Sequence, residues 1–216
     1  NGSSWSMARM NLFIHGIHVN PNDIAWGDTL ANPQHLDSDG NLKQFDVIVA
    51  NMPFSLDKWA EGFNPGGQED GASDKEKKFK MTANLDRFHL FEGGVPPASK
   101  GDWAFLLHML HSLRSNGRMA AVVPHGVLFR GSAEGRIRQT VIEKNLLDAV
   151  IGLPANLFYG TSIPACILVF KKNRATSDVL FIDASGKDAN GNLRYRKDKN
   201  QNKLDQNHID DIFRAY

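Results

Sequence analysis

The chain has 216 residues, of which 41% are hydrophobic, enough for one sizeable core and a small appendage. Its 25 basic and 24 acidic residues give a formal net charge of only +1. This charge does not indicate nucleic-acid binding, but it is compatible with a local basic surface. The lone cysteine, Cys166, excludes an internal disulfide. No signal peptide is visible in these residues, and no apolar run approaches the ~18 residues of a membrane span, so we expect a cytoplasmic globular protein.

The first half of the chain predicts a helix, two strands and a long irregular stretch. Serines, helix formers and a final glycine over residues 3–16 are typical of a helix. IAWGD (24–28) is expected to be a short strand, and FDVIVAN (45–51) an apolar strand buried on both faces of a parallel sheet. The turn-rich residues 52–101 are expected to be irregular. Because the sequence starts at Asn1 rather than methionine, we expect it to be part of a longer chain.

The second half alternates helices with strands, which is typical of a doubly wound, mostly parallel α/β sheet. The last two strands follow each other without a clear helix, which favours an antiparallel pair at one edge. We expect residues 1–185 to form the main domain, and the polar residues 186–216 an extension with a C-terminal helix. This extension is expected to contact DNA or another subunit, or to be only a soluble connector. The predicted elements are a helix opened by Ser99 or Asp102 and closed by Gly117, a strand at 117–124, a helix at 133–145, and strands at 147–154, 165–172 and 178–185.

The residues after the strand FDVIVAN carry the most informative chemistry. Ligands of open α/β sheets bind beyond the carboxyl ends of strands, where Asn51-Met52-Pro53-Phe54 falls. The Asn51 amide and the Met52 carbonyl are uncharged acceptors that can hold both protons of one amino group, and Pro53 restricts the geometry of Met52. Phe54 offers a face for stacking. This combination suits a planar aromatic amine used as a nucleophile, although an ordinary turn explains these four residues equally well.

The whole chain resembles the modification subunit of type I restriction–modification systems, which are DNA adenine methyltransferases with an Asn-Pro-Pro-aromatic motif. The resemblance extends over many blocks in the family's order and spacing. These blocks are ARMNLFIHGI (8–17), GDTL (27–30), FDVIVANMPF (45–54), GDWAFLLHML (101–110), GRMAAVVPHGVLFR (117–130), EGRIRQTVIE (134–143), GLPANLFYGTSIPACILVFKK (152–172), LFIDAS (180–185) and KNQNKL (199–204).

The resemblance implies a Rossmann-like fold that uses S-adenosylmethionine. Asp28 matches the acidic residue that accepts from the cofactor's adenine amino group, with Leu30 and Asn51 also at the cofactor. Asn51 and the carbonyl of Met52 match the acceptors of the target amino group. Phe54 matches the aromatic residue that stacks on the flipped adenine, and Phe158 falls where related enzymes place a second one. Double-stranded DNA, a specificity subunit and a restriction subunit are the implied partners.

Two departures from the family pattern stand out. Met52 replaces the usual proline, which we expect to be tolerated because the required group is a backbone carbonyl. The glycine-rich cofactor loop and its strand are not among these residues, so we expect the chain as given to bind cofactor poorly. No metal is expected, because the pairs His15 with His18 and His108 with His111 lack an apparent third ligand. A related methyltransferase acting on protein glutamine or RNA, and a non-catalytic assembly fragment, are the alternatives.

Overall fold

The structure is a computed structural model that describes residues 2–20, 22–60, 86–88 and 94–216. Most of the predicted irregular stretch, 61–85 and 89–93, lies outside the described residues. The helices are α1 (Gly2–Ile14), α2 (Asp102–His111), α3 (Gly126–Phe129), α4 (Ser132–Glu143) and α5 (Gln206–Ala215), with a short 3-10 turn at Asp86–Phe88. The strands are β1 (Phe45–Asn51), β2 (Leu113–Pro124), β3 (Leu147–Gly152), β4 (Ala165–Lys171), β5 (Leu180–Asp183), β6 (Arg196–Asp198) and β7 (Gln201–Lys203).

The central sheet has five strands in the order β1-β2-β4-β3-β5, and β6 and β7 form a separate hairpin. The pairs β1/β2 and β3/β5 are parallel, whereas β4 runs antiparallel to both of its neighbours. Four of the five strands therefore share one direction, and the predicted α/β class with a mostly parallel sheet is confirmed. The expected pairing of the last two sheet strands with each other is wrong, because β4 inserts between β2 and β3 and leaves β5 at the edge.

The strand β1 forms where it was predicted, but it is not buried on both faces. Val47 is 59% exposed and Val49 is 76% exposed. The reason is its place in the sheet: β1 is the outermost strand and pairs with β2 alone among the described residues. An apolar run predicts a strand, but its burial depends on what lies on its other side.

The main core is formed by α2 and α4 together with residues of the sheet. In α2, Trp103, Leu106, Leu107 and Leu110 recur at the spacing of one helical face, and all four are almost fully buried. Full burial of one such side chain contributes about 1.5–3 kcal/mol. The helix α2 directly precedes β2 in the chain. Its first residue, Asp102, accepts a hydrogen bond from Ser55, so the N-terminus of α2 lies near the end of the Asn51–Phe54 segment.

Two predicted boundaries differ from the structure. Residues 24–28 do not form a strand, and Asp28 makes only an isolated bridge with Asn32. The helix α2 ends at His111 rather than near Gly117, and β2 already begins at Leu113. The pairing of β1 with β2 jumps from Leu113 to Arg118, so residues 114–117 form an irregularity inside β2. Gly117, which the sequence suggests as the end of a helix, belongs to this irregularity.

The two terminal helices are confirmed, and they differ in how they pack. In α1 the side chains of Met7, Met10, Phe13 and Ile14 are exposed. In contrast, α5 is tied to the sheet, because Ile212 packs on a second apolar cluster and the Tyr216 hydroxyl donates to Asp148 at 2.7 Å. Within the described ranges, no helix is both long and apolar enough for a membrane span.

Candidate active site at the end of β1

Asn51 is the last residue of β1 and pairs with Val122 of β2. The residue is exposed, and its side-chain amide has no hydrogen-bond partner among the described residues. An amide in this position can donate and accept without first breaking a bond within the protein. The geometry therefore leaves Asn51 available to a ligand.

Met52 adds a packing role that the sequence did not reveal. Its side chain is only 7% exposed and belongs to the main core cluster, together with Trp59 and Leu106. The methionine at this position therefore anchors the strand end in the core. Its backbone carbonyl follows directly after the exposed Asn51 side chain.

Phe54 and Phe158 come together although 104 residues separate them. Their ring centroids are 5.9 Å apart and the ring planes cross at 87°, an edge-to-face arrangement. Both rings are partly exposed and pack on the second apolar cluster, which includes Ile151 and Leu153. The structure thus places the two predicted aromatic residues beside the end of β1.

The loop that carries Phe158 is held by the hairpin of β6 and β7. The Asn202 amide donates to the Ala155 carbonyl at 2.6 Å, and its backbone N–H donates to the Asn156 carbonyl at 2.9 Å. Gln201 makes a longer bond to the Leu157 carbonyl at 3.4 Å. The polar residues beyond 186 thus contact the candidate site directly. Sequence reasoning missed this role, although KNQNKL is one of the blocks that carry the resemblance.

The segment after Phe54 is fastened to the start of α2. The Ser55 N–H donates to Asp102 Oδ1 at 2.7 Å, and the Gly101 N–H donates to the Leu56 carbonyl at 2.9 Å. Trp59 is buried and its indole N–H donates to the Pro97 carbonyl at 2.9 Å. These bonds hold residues 55–59, which directly follow the Asn51–Phe54 motif, against the start of α2 and the segment before it.

Asp102 belongs to a buried ion network that joins three elements. Arg130 donates to Asp102 and to Glu134, in each case at 2.5 Å. Asp102 is 0% exposed and Glu134 is 2% exposed. The hydrogen bond that Arg130 donates to Glu134, followed by smaller contributions from Asp102, raises the pKa of Arg130 against the opposing effect of burial. The sequence suggested Asp102 only as a helix opener and gave no sign of this network.

Asp28 closes a tight turn rather than ending a strand. Its Oδ1 accepts from the backbone N–H groups of Leu30 at 2.9 Å and Ala31 at 2.8 Å. Leu30 is buried, and its carbonyl accepts from Arg87. The predicted cofactor role of Leu30 stays a prediction, since its side chain lies in the core and both backbone groups are used within the protein.

An open cavity of about 500 Å³ lies between the Asp28 turn and β1. Its wall combines the Asp28 side with apolar residues of β1 such as Val47 and Val49, and with His108 of α2. Val49 also borders the shallow depression that contains Asn51. Val49 of β1 therefore borders both the cavity beside Asp28 and the depression that contains Asn51, although Asn51 does not line the larger cavity itself.

His108 also lines this cavity, a position that the sequence analysis did not predict for it. Its Nδ1 is buried and lacks a hydrogen-bond partner among the described residues. Burial, then the positive charge of Arg87 and then His111, lowers the pKa of His108 from 6.5 to about 4. His108 is therefore neutral at physiological pH.

The chain is similar to known DNA methylases. A family model described as N-6 DNA Methylase matches residues 1–216. The methylase subunit of the type I restriction enzyme MpnII from Mycoplasma pneumoniae is 34% identical over 98% of this chain, which covers 35% of that protein. The MjaVII methylase subunit from Methanocaldococcus jannaschii is 31% identical over 97% of this chain and 33% of its own length.

A solved structure of a protein with a similar description also matches the chain. The methyltransferase subunit of a type I restriction–modification system from Streptococcus thermophilus superposes with a TM-score of 0.78 at 39% identity. The superposition covers all of this chain and 40% of that one. The chain thus spans about a third of the length of the curated relatives that it matches.

Proposed function

Because the chain belongs to the N-6 DNA Methylase family, we propose that it is part of the modification subunit of a type I restriction–modification system and that its site methylates the exocyclic amino group of adenine in DNA. The observation that carries the proposal is the exposed amide of Asn51, which has no hydrogen-bond partner among the described residues, three residues before Phe54, whose ring meets that of Phe158. This is the arrangement of polar acceptor and aromatic faces that a planar amine requires.

The target amine is held by two uncharged acceptors. The Asn51 side-chain carbonyl and the Met52 backbone carbonyl accept its two protons, which keeps the nitrogen lone pair out of the ring and available for attack. Phe54 and Phe158 contact the extruded base. A base inside a duplex cannot reach this site, so the adenine leaves the stack at a cost of a few kcal/mol. Positioning of the amine is the main contribution of these residues.

The cavity beside Asp28 fits the adenosine part of S-adenosylmethionine. It offers one carboxylate for an amino group and apolar strand residues for a flat ring, and His108, whose buried Nδ1 has no partner among the described residues, is part of its wall. When bound, S-adenosylmethionine supplies an electrophilic methyl group on a sulfonium. Asp28 would hold the adenine, and Val47 and Val49 would line its ring. We expect the 216 residues alone to bind it weakly, since no glycine-rich loop follows a strand in the part of the chain that the structure describes.

The proposed partners follow from the same assignment. Double-stranded DNA with a flipped adenine is the substrate, a specificity subunit selects the sequence, and a restriction subunit completes the complex in the cytoplasm. Target choice therefore does not reside in this chain. Residues 1–185 carry the catalytic portion in this proposal, while 186–216 support the Phe158 loop and contact DNA or a subunit.

Transfer of a labelled methyl group by the full-length chain tests the proposal. The full-length subunit, assembled with its specificity subunit, is incubated with labelled S-adenosylmethionine and with DNA, RNA or release-factor protein. We expect label in DNA, at adenine. Label in protein or RNA but not in DNA would contradict the proposal in favour of a related methyltransferase. Calorimetry that finds no cofactor binding by the intact chain would instead support an assembly module.

A further inference from the structure

Asp102 is a charged residue with no exposure to solvent, and it contacts the segment directly after the proposed base-binding residues. Its Oδ1 accepts from the Ser55 backbone N–H at 2.7 Å, and its Oδ2 lies 3.3 Å from the Ser55 hydroxyl. Ser55 follows Phe54 immediately. The carboxylate therefore acts on the backbone of the site although it does not touch the base-binding groups.

Ser55 has a backbone conformation that needs such support. Its φ is +51°, in the left-handed region that residues other than glycine rarely adopt. A residue in this region persists when its surroundings hold it there. The bond from the Ser55 N–H to a charged acceptor is stronger than a neutral one and supplies that restraint. The turn that aims Phe54 thus depends on where the Asp102 carboxylate lies.

The position of Asp102 is in turn fixed by Arg130. The guanidinium bridges Asp102 on α2 and Glu134 on α4, at 2.5 Å from each carboxylate. The backbone of α3 makes room for it at Gly126, where an added Cβ would clash with Arg130 Nη1. A side chain at residue 126 would therefore displace the guanidinium from between the two carboxylates.

We propose that Asp102, held by Arg130, is a positioning residue for methyl transfer: it fixes the turn at Ser55 and thereby the placement of Asn51 through Phe54 against the target adenine. This inference rests on the proposed function. Its consequence is specific, because the network contacts the base-binding side of the site, whereas the cavity beside Asp28 contains neither Asp102 nor Arg130. Loss of the network should slow the reaction without weakening cofactor binding.

Two variants break the network from different sides. Asp102→Asn keeps the shape but leaves one oxygen to serve both the Ser55 N–H and Arg130, while its new NH₂ group opposes the guanidinium. Gly126→Ala leaves both carboxylates intact and displaces only Arg130. Both are measured in the full-length subunit assembled with its specificity subunit, with two duplex substrates. The rate is measured on DNA with adenine at the target, and base extrusion on the same duplex with 2-aminopurine at that position, which lacks the 6-amino group and is not methylated. Single-turnover rate, 2-aminopurine fluorescence and cofactor affinity are the readouts.

We expect both variants to lower the single-turnover rate by about 100-fold, the effect of a displacement near 1 Å at a reacting group. The 2-aminopurine signal should change with the rate, whereas cofactor affinity should not. Val141→Ala is the matched control, because it creates a cavity in the buried face of α4 without touching the network. It should lower the melting temperature and leave the rate unchanged.

The outcomes separate the two proposals. A wild-type complex that transfers no methyl group to DNA contradicts the proposed function. An active wild-type complex in which Gly126→Ala retains its rate and fluorescence overturns the role of the network. So does a rate loss that Val141→Ala reproduces at an equal drop in melting temperature. If Asp102→Asn does not fold, Gly126→Ala decides alone, since alanine is favoured over glycine in a helix.

Discussion

Met52 combines a buried side chain with the backbone carbonyl to which we assign one of the two contacts to the target amine. A proline at this position would supply the carbonyl but not the same packing, since the methionine side chain reaches the core that contains Trp59 and Leu106. The residue that looks unusual in the motif is therefore explained by stability rather than by chemistry.

Substitution of Met52 should separate these two roles. Met52→Ala is expected to lower the free energy of unfolding by about 2–5 kcal/mol, the usual cost of truncating a buried methionine, while the methylation rate stays close to that of the wild type. Met52→Leu conserves the volume and should cost less than about 1.5 kcal/mol. Denaturant unfolding and single-turnover methylation of the full-length subunit measure the two effects. A rate that falls with stability intact would contradict the packing role.

His108 should make stability depend on pH. Its folded pKa of about 4 lies below the unfolded value of 6.5, so the unfolded state binds the proton more tightly. The contribution of neutral His108 is complete above pH 6.5 and is lost as pH falls toward 4. Between pH 7.5 and pH 5 the wild type should lose about 2 kcal/mol that a His108→Leu variant keeps.

The check is denaturant unfolding of the full-length wild type and variant at both pH values. The other titrating groups are common to the two proteins, so the difference between their pH responses isolates His108. Identical responses would mean that the imidazole is not desolvated as the structure indicates.

At the scale of elements, the hairpin of β6 and β7 acts on the site through the loop that carries Phe158. The Asn202 side chain and backbone bind two successive carbonyls of that loop. The hairpin is itself stabilised by ion pairs of Asp198 with Lys203 and Arg196. A short polar element can thus place an aromatic ring that belongs to another part of the chain.

Asn202→Ala should therefore lower the methylation rate, by about 10-fold, because the loop that orients Phe158 loses its side-chain bond. Asn200→Ala is the control, since Asn200 lies in the hairpin turn and makes no side-chain hydrogen bond among the described residues. Single-turnover methylation of both variants is the measurement. Equal rates for the two would show that the hairpin does not position Phe158.

The elements also show what local sequence can and cannot predict. The helix with Trp103, Leu106 and Leu110 and the strand at 45–51 were predicted because their periodicity is contained in the segment itself. The sequence did not predict the insertion of β4 between β2 and β3, since strand order is set by contacts between distant segments. The exposure of Val49 was missed for the same reason, because burial depends on the neighbouring strand.

At the scale of the whole molecule, the candidate site assembles from separate parts of the chain. The resemblance identified Asn51, Phe54 and Phe158, and the structure brings the two rings to 5.9 Å. Asp102 and Asn202 lie in blocks of the resemblance, but it assigned no role to either, since these residues act on backbone groups 47 residues away. A side chain that supports a site through the backbone has no local pattern of its own.

The central claim is that the Asn51 amide holds the target amine. The most direct test is single-turnover methylation of cognate DNA by the full-length subunit in its complex, with Asn51→Ala compared with the wild type and cofactor affinity measured in parallel. We predict a loss of at least about 10²–10³-fold in rate, the usual effect of removing one hydrogen-bonding group that acts on the reacting atom, with cofactor binding largely retained. A rate near that of the wild type would contradict the claim.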